Sequence, residues 1–482
     1  MWLIALLLLS PLVALLGWRR SLPGSLVVLL AVAQLLLALG LWRLLALQGP
    51  MHWELFPQAG LPGLSLRFDG LALLFVLLSS LIGAFSALQS LLYFKGLPVV
   101  QHRLWPRFWL LLPGLHLVWL AGDLITLYIA MEWVAVCVTG LIALGGQEPS
   151  LRAAMRYMQA VLLGTLAFLL GAVLLYGHYG TVVLAELTSQ MSPGVVPLLA
   201  LALISAGLVY RAALFPLHAW LPPAHGSSYA PLSALLSALV TKVSFYSLAR
   251  LWLDWGETLN TVALAQALGV LGALAILWGG WMACRQDKLK MLVAYSSVNQ
   301  VGYFFLLFPL LLSGSPEAAA LGRDGAMLQV ISHALAKAAL FMAAGNLVLA
   351  AGSDRMAGLA GITRLLPLSL FSFGLAGVSL MGLPPSGGFM AKWALLQASL
   401  ISGQWWWGLV LLAGGLLSAG YIFRVFRLSF EERQASHRFH PQPLLAEWLP
   451  LVLALMAAGL GLLVRVPLDI MTLGTDAMGV VP

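Results

Sequence analysis

Charge is what this sequence has least of. Asp, Glu, Lys and Arg together make up 9% of its 482 residues, against about 25% in an ordinary soluble domain. A chain so poor in charge cannot cover a water-facing surface, so a soluble globular protein is excluded. Cysteine is nearly absent as well. Cys137 and Cys284 stand alone, with no CxxC or Cys/His spacing, so neither a disulfide nor a metal centre is implied. A Walker loop and a dinucleotide fingerprint are both missing, and no cofactor is expected. Long polar stretches are missing too. The longest, about Glu431–Gln442, is too short to fold alone and reads as a weakly amphipathic connection on the inner membrane surface.

What the chain has instead is apolar length. It is 61% hydrophobic, with a mean hydropathy of +0.96. A membrane-crossing helix needs about 20 apolar residues. About fourteen such spans are expected, near residues 2–17, 24–46, 69–93, 107–121, 124–145, 152–177, 195–215, 229–252, 260–283, 290–312, 325–350, 365–401, 405–428 and 446–466. The runs are rich in Leu and Ala and longer than a barrel strand of about ten residues, so the fold class is all-α membrane protein and strands are not expected. No basic region precedes the stretch Trp2–Leu16, while Arg19 and Arg20 follow it. It reads as a retained first span rather than a signal peptide.

The sparse charges set an orientation. With the N-terminus outside, 16 of the 25 Lys and Arg fall at inner ends of spans, 5 at outer ends and 4 inside spans. This is the bias of the positive-inside rule. It predicts a multi-pass protein of the cell's inner (cytoplasmic) membrane with both termini outside. Basic loops against an anionic leaflet also account for the net charge of +8 without a nucleic-acid partner.

Five ionisable residues sit within apolar stretches: Glu132, Arg211, Lys242, Lys337 and Lys392. Each costs roughly 2.5–3.5 kcal/mol at a bilayer centre, and such residues read first as an ion or proton path. Two of them lie close to interrupted spans. Tyr210–His225 reads YRAALFPLHAWLPPAH, and Gly382–Trp393 reads GLPPSGGFMAKW. Proline breaks a membrane helix, and the freed carbonyls must be buried in protein or line a wet cavity. The breaks fall in spans 7 and 12, the fourth span of two successive five-span blocks (spans 4–8 and 9–13). Paired breaks of this kind point to inverted repeats with a site between them; simple proline kinks are the alternative. The implied organisation is an N-terminal three-helix segment (1–106), a first repeat (107–253), a second repeat (254–428), and an inner-surface connection with a last helix (429–482).

Five motifs then carry a resemblance. They are GDLITLYIAMEW (Gly122–Trp133), AALFPLHAWLPPAHGSSYAPLSALLSALVTKVSFYSLARL (Ala212–Leu251), KLKMLVAYSSVNQVGYFFL (Lys288–Leu306), SHALAKAALFMAAGN (Ser332–Asn346) and GVSLMGLPPSGGFMAKWALLQASL (Gly377–Leu400). In content, order and spacing they resemble the antiporter-like subunits shared by Mrp-type cation/proton antiporters and respiratory complex I. The likeness runs from about Leu66 to Phe430. Length and ending are most similar to the D-type subunit of Mrp antiporters. Lys392 stands where the M-type subunit of complex I has a glutamate. The resemblance implies fourteen helices, two inverted five-helix repeats, a hydrated polar axis, and membership of a multi-subunit complex. It also implies that Glu132 pairs with the basic residue of the seventh span. That residue is Arg211 here, where the family normally has lysine. Arginine keeps its proton, so it is expected to act as a fixed partner and gate, or as a bidentate clamp, rather than as a carrier.

The remaining residues complete a relay. Lys242 lies mid-span among apolar neighbours, where burial favours loss of its proton; snorkelling is the alternative. His333 and Lys337, four apart, share a helix face, and histidine titrates near neutral pH. Lys392 is expected to be the exit group or an interfacial anchor. His218 and His225 flank the first break, as supports for its carbonyls or as a proton-uptake route. Ser297 and Asn299, with Ser296, offer polar groups to a water chain. Asp69 and Asp123 are expected to be helix caps or contacts to other subunits.

The function expected is proton translocation, coupled to movement of a cation such as Na+, by a protein of the Mrp D type without a catalytic centre of its own. An antiporter-like subunit of a complex I-like NADH:quinone oxidoreductase or membrane-bound hydrogenase is the alternative. An inactive scaffold, or one energising a soluble partner, is a third.

Overall fold

The computed structural model describes residues 22–55, 64–431 and 439–473, together with residues 5, 7 and 9–14. Part of the expected first span, Arg19, Arg20, and most of the expected inner-surface connection lie outside the described residues. What is described is mostly helix. Among the described residues, nine helices are long and apolar enough to cross a membrane, from Gly24–Gln48 to Trp406–Phe430, and three shorter apolar helices accompany them. The Pro98–Leu120 helix is a further element, with Pro106 and Pro113 inside it.

Helix starts are fixed by side chains. Asp123 accepts the N–H groups of Ile125 at 2.9 Å and Thr126 at 2.7 Å. Asp69 accepts that of Ala72 at 3.0 Å. Each satisfies an orphan donor of the first turn, so both aspartates are caps. They also tie down a feature that was not expected. Met51–Leu55 and Leu64–Phe68 pair as an antiparallel hairpin. Strands are not expected from the long apolar runs, and these two lie between the second and third of those runs. These have five residues each, roughly 17 Å long, and are too short to cross. Asp123 also accepts the Ser65 N–H at 2.6 Å. Arg67 on the same strand pairs with Asp69 at 3.0 Å and with Asp254 at 3.2 Å, and Arg250 pairs with Asp69 at 2.8 Å.

Three apolar segments form the inside of the molecule: Ala230–Trp255, Leu289–Leu311 and Pro316–Ala351. Around them, helices such as Gly24–Gln48 and Trp406–Phe430 leave large apolar side chains exposed, among them Leu29, Leu36, Leu416 and Phe423. In lipid, helices associate by close packing and polar contacts rather than by the hydrophobic effect. Glycine supplies such contact between Glu148–Tyr179 and Val195–Arg211. A Cβ at Gly164 would stand 2.7 Å from the Gly207 carbonyl oxygen and 2.6 Å from Arg211 Cγ. The same small residue therefore lets two backbones meet and makes room for the arginine.

Both expected interruptions are present. Val195–Arg211 ends four residues before the predicted boundary. A short 3-10 turn, Leu217–Trp220, and the helix Leu221–Ser227 follow it. The predicted span 365–401 is two helices, Pro367–Met381 and Gly387–Ile401, separated by Gly382–Ser386. A third irregularity was not anticipated. One π-helical turn, Leu236–Val240, is inserted directly ahead of Lys242.

Candidate functional site

The first break delivers Arg211 to the interior, 4% exposed. Its Nη1 lies 3.3 Å from Glu132 Oε1 and 3.1 Å from the Val161 carbonyl, to which it donates. Nη2 donates to the Met131 carbonyl at 3.1 Å. The pairing across the fifth and seventh expected spans is therefore present, but through one carboxylate oxygen. A bidentate clamp is not what holds Glu132. Backbone carbonyls share the guanidinium, while the glutamate side chain stays 22% exposed. The Trp220 indole donates to the Tyr210 carbonyl at 3.2 Å, which also accepts the Ala213 N–H at 3.2 Å, so a residue that sequence reasoning had not singled out adds a second donor at this break.

The centre is built from the three interior segments. Lys242 is fully buried. Its Nζ lies 2.6 Å from His333 Nδ1 and donates to the Ser237 carbonyl at 2.5 Å, which belongs to the π turn. Ser237 Oγ meets Ser297 Oγ at 3.0 Å, and Ser297 donates to the Val293 carbonyl at 3.3 Å. Lys337 Nζ donates to that same carbonyl at 2.8 Å and also to Ser296 Oγ. Residues Ser237, Ser297 and Val293 thus lie between Lys242 and Lys337, each hydrogen-bonded to the next, with the Val293 carbonyl shared by Ser297 and Lys337. His333 does share a helix face with Lys337, but its ring bonds Lys242, on another helix. The outer ring nitrogen, His333 Nε2, is buried and has no partner among the described residues.

The second break holds Lys392, 8% exposed. Nζ donates to the carbonyls of Leu380 at 2.6 Å and Met381 at 3.2 Å, and lies 4.4 Å from the centre of the Tyr303 ring. Gly382 permits this. Its φ is +82°, and a Cβ there would meet Lys392 Cδ at 2.7 Å. The Leu380 carbonyl also accepts Gln300 Nε2 at 3.2 Å, and Gln329 Nε2 donates to Gln300 Oε1 at 2.8 Å. These two amides continue the polar line and were missed in the sequence. A lone Gln in an apolar run is their only signal there. Ser332 and Ser379 meet at 2.6 Å, tying the His333 helix to the second break.

Asn299 joins this line through Gln300, whose Nε2 donates to Asn299 Oδ1 at 2.8 Å, while His218 and His225 lie on the short elements after the first break. Asn299 Nδ2 donates to the Ile276 carbonyl at 2.6 Å, so that part of its amide joins helices. The His218 ring stacks on Phe215, and the His225 ring on Phe341. Both rings sit beside the short helix that follows the first break rather than at Glu132. Among the described residues, Lys242, Lys337 and Lys392 form no ion pair with a carboxylate. No group of three His, Cys, Asp or Glu gathers as a metal site among them either.

Broken helices flanking a row of buried cations define a multi-pass membrane protein of the antiporter-like class. Residues 121–418 match the family described as NADH:quinone oxidoreductase/Mrp antiporter, TM, and the chain belongs to that family. It is 36% identical over 397 residues to the N subunit of the NADH-quinone oxidoreductase of Desulforudis audaxviator (strain MP104C), covering 81% of this chain and 75% of that one. To the D subunit of the Na(+)/H(+) antiporter of Alkalihalophilus pseudofirmus (strain ATCC BAA-2126 / JCM 17055 / OF4) it is 28% identical over 380 residues, covering 76% and 73%. Among solved structures it is similar to a chain of the membrane-bound sulfane sulfur reductase, an archaeal respiratory membrane complex. The TM-score is 0.87 at 27% identity, with 98% of this chain and 96% of that one covered. The protein is an antiporter-like membrane subunit of the kind found in Mrp and complex I-like assemblies, and the Mrp D type is not singled out.

Proposed function

We propose that this chain translocates protons within a multi-subunit membrane complex, along Glu132/Arg211, Lys242/His333, Lys337 and Lys392. The observation that carries the reading is the 2.6 Å contact between Lys242 Nζ and His333 Nδ1, made in the interior with no carboxylate paired to either side chain among the described residues. In this reading the ammonium of Lys242 gives a proton to Nδ1 of the neutral ring, leaving a neutral amine and an imidazolium. Loss of the Nε2 proton leaves the neutral ring protonated at Nδ1, and a tautomer shift back to Nε2–H readies it for the next transfer. The two groups are already within hydrogen-bond reach of each other, as a direct proton transfer requires. The serine hydroxyls between Lys242 and Lys337, with internal water, would carry the onward step. Arg211 keeps its charge and sets the field that Glu132 feels.

The finer parts of the reading are an architecture of fourteen helices with inverted repeats over spans 4–8 and 9–13, domain limits at 106, 253 and 428, and residence in the inner membrane with both termini outside. The complex would be an Mrp-type Na+/H+ antiporter with this chain as its D-type member, supported by the lysine at 392 and the similarity to an antiporter D subunit. A second reading, a proton-pumping subunit of a complex I-like oxidoreductase, is favoured by the greater identity to an oxidoreductase N subunit. Flux in vesicles bearing the whole complex separates them. Na+-driven proton movement without an electron donor supports the antiporter; movement only during quinone reduction supports the oxidoreductase. Lys242→Ala should abolish either flux at normal assembly. Undiminished flux would remove Lys242 from the path.

A further inference from the structure

Two cavities on the surface share Arg156. The first, of about 390 Å³, lies at the start of the Glu148–Tyr179 helix. It is lined by four basic side chains, Arg152, Arg156, Lys288 and Lys290, against two acidic ones, Glu148 and Asp354. The acids are engaged in open ion pairs. Arg152 pairs with Glu148, both side chains more than two-thirds exposed, and Lys288 pairs with Asp354 at 2.9 Å, with side chains 54% and 42% exposed. Exposed pairs of this kind hold weakly and yield to a stronger anion. Among the described residues Lys290 Nζ donates to the carbonyls of Gly226 and Ser228 and forms no ion pair. Among the described residues Arg156 has no acidic partner.

The second cavity, of about 690 Å³, continues from Arg156 along the side of the molecule. Its walls are apolar, with Leu162, Leu163 and Leu217 exposed. It runs past Pro216 and Trp220, the turn of the first break. A basic pocket opening into an apolar channel is a match for one kind of molecule. We infer that an anionic phospholipid binds here, its phosphate against Arg156, Arg152 and Lys290 and an acyl chain along Leu163 and Leu217. The positive pocket supplies the charge complement, and on the orientation proposed above it faces the leaflet where anionic lipids concentrate. The acyl chain would lie against the Leu217–Trp220 turn, beside Tyr210 and Trp220, which line the same cavity.

The test uses the intact purified complex, incubated with vesicles of phosphatidylglycerol or of phosphatidylcholine and then stripped in detergent, with retained lipid counted by mass spectrometry. Phosphatidylglycerol should be retained and phosphatidylcholine should not. Arg156→Gln should lower retention about five-fold, as loss of one basic contact to an anionic headgroup implies. Leu163→Trp, which narrows the channel and keeps every charge, should lower it too. Arg427→Gln, on the distant Trp406–Phe430 helix, should leave it unchanged. Equal retention in Arg156→Gln and the unaltered complex overturns the inference. So does displacement by inorganic phosphate alone, which would mark a free-anion site. Photo-crosslinking from position 163 should label lipid; a crosslink to a neighbouring protein would show that protein covers the groove, and would overturn it as well. Because lipid is counted directly, these outcomes do not depend on whether the chain moves protons.

Discussion

The two broken helices solve one problem in different ways. Each places a cation in the interior, where it donates to backbone carbonyls. At the first break the cation reaches away from its own helix. Arg211 binds Glu132 and the carbonyls of Met131 and Val161, so it fastens one helix to two others. Trp220 attends to the broken turn itself. At the second break the cation turns back. Lys392 binds Leu380 and Met381, the last residues before its own interruption. A helix ends with partial negative charge on its free carbonyls, and that charge, with the face of the Tyr303 ring, is what Lys392 meets. The first site is therefore an ion pair that a break makes accessible. The second is a break and a charge that depend on each other.

The largest expected effect comes from separating those two at the second site. Lys392→Met leaves the Met381 carbonyl without its side-chain donor, at about 1–3 kcal/mol for an unsatisfied buried group, while Gln300 still donates to the Leu380 carbonyl, and it removes a transferable proton. Proton flux should fall to background, and thermal stability of the complex should fall with it. A stable complex with full flux would show that the charge and the break are independent after all.

Next comes the ion pair. Glu132→Gln alone leaves Arg211 buried with carbonyls only. The cost should lie near the lower end of the about 3–5 kcal/mol seen for half-broken buried pairs, because Glu132 is partly exposed. Glu132→Gln with Arg211→Met should cost less than the sum of the single changes, read by thermal unfolding of the purified complex. Strict additivity would show that the pair is not coupled.

A smaller effect is expected of Arg211→Lys. One carboxylate oxygen and two carbonyls are within the capacity of an ammonium, which has three donors. Transport should persist, with an altered pH profile, whereas Arg211→Ala should abolish it. Equal loss in both variants would restore the guanidinium as a specific requirement. The smallest effect belongs to Trp220→Phe, which removes one of two donors to the Tyr210 carbonyl and should cost about 0.5–1.5 kcal/mol with flux retained. A flux loss as deep as that of Lys392→Met would erase the distinction between the two breaks.

How much of this was visible in the sequence depends on range. Glu132, Arg211, Lys242, Lys337 and Lys392 were legible because a charge in an apolar run is costly wherever the helix packs. Both breaks were legible because proline and glycine act on the local backbone. The partner of His333 was not. Helical spacing nominated Lys337, four residues away, and packing supplied Lys242, 91 positions distant. Gln300 and Gln329 were passed over because an uncharged amide is a quiet signal beside a lysine. The hairpin escaped because its strands lie in a connection, where the span-length test has nothing to measure. Length and motifs leaned toward the antiporter D type, while the wider comparison leans as much toward the oxidoreductase N type. A shared ancestral core carries little about which complex it serves.

The π turn at Leu236–Val240 has a consequence for counting. An α-helix advances about 100° per residue, and a π turn takes in one residue more than the regular coil around it. A helical wheel drawn through this segment is therefore wrong by one residue beyond Val240, and Lys242 points about 100° away from where the wheel puts it. Its meeting with His333 belongs to the extra residue as much as to the lysine. Deleting Ala238 would let the helix close into regular α form while leaving every ionisable side chain in the chain. It should nevertheless swing Lys242 off His333 and stop proton flux as completely as Lys242→Ala, an outcome that no reading of residue types alone would anticipate.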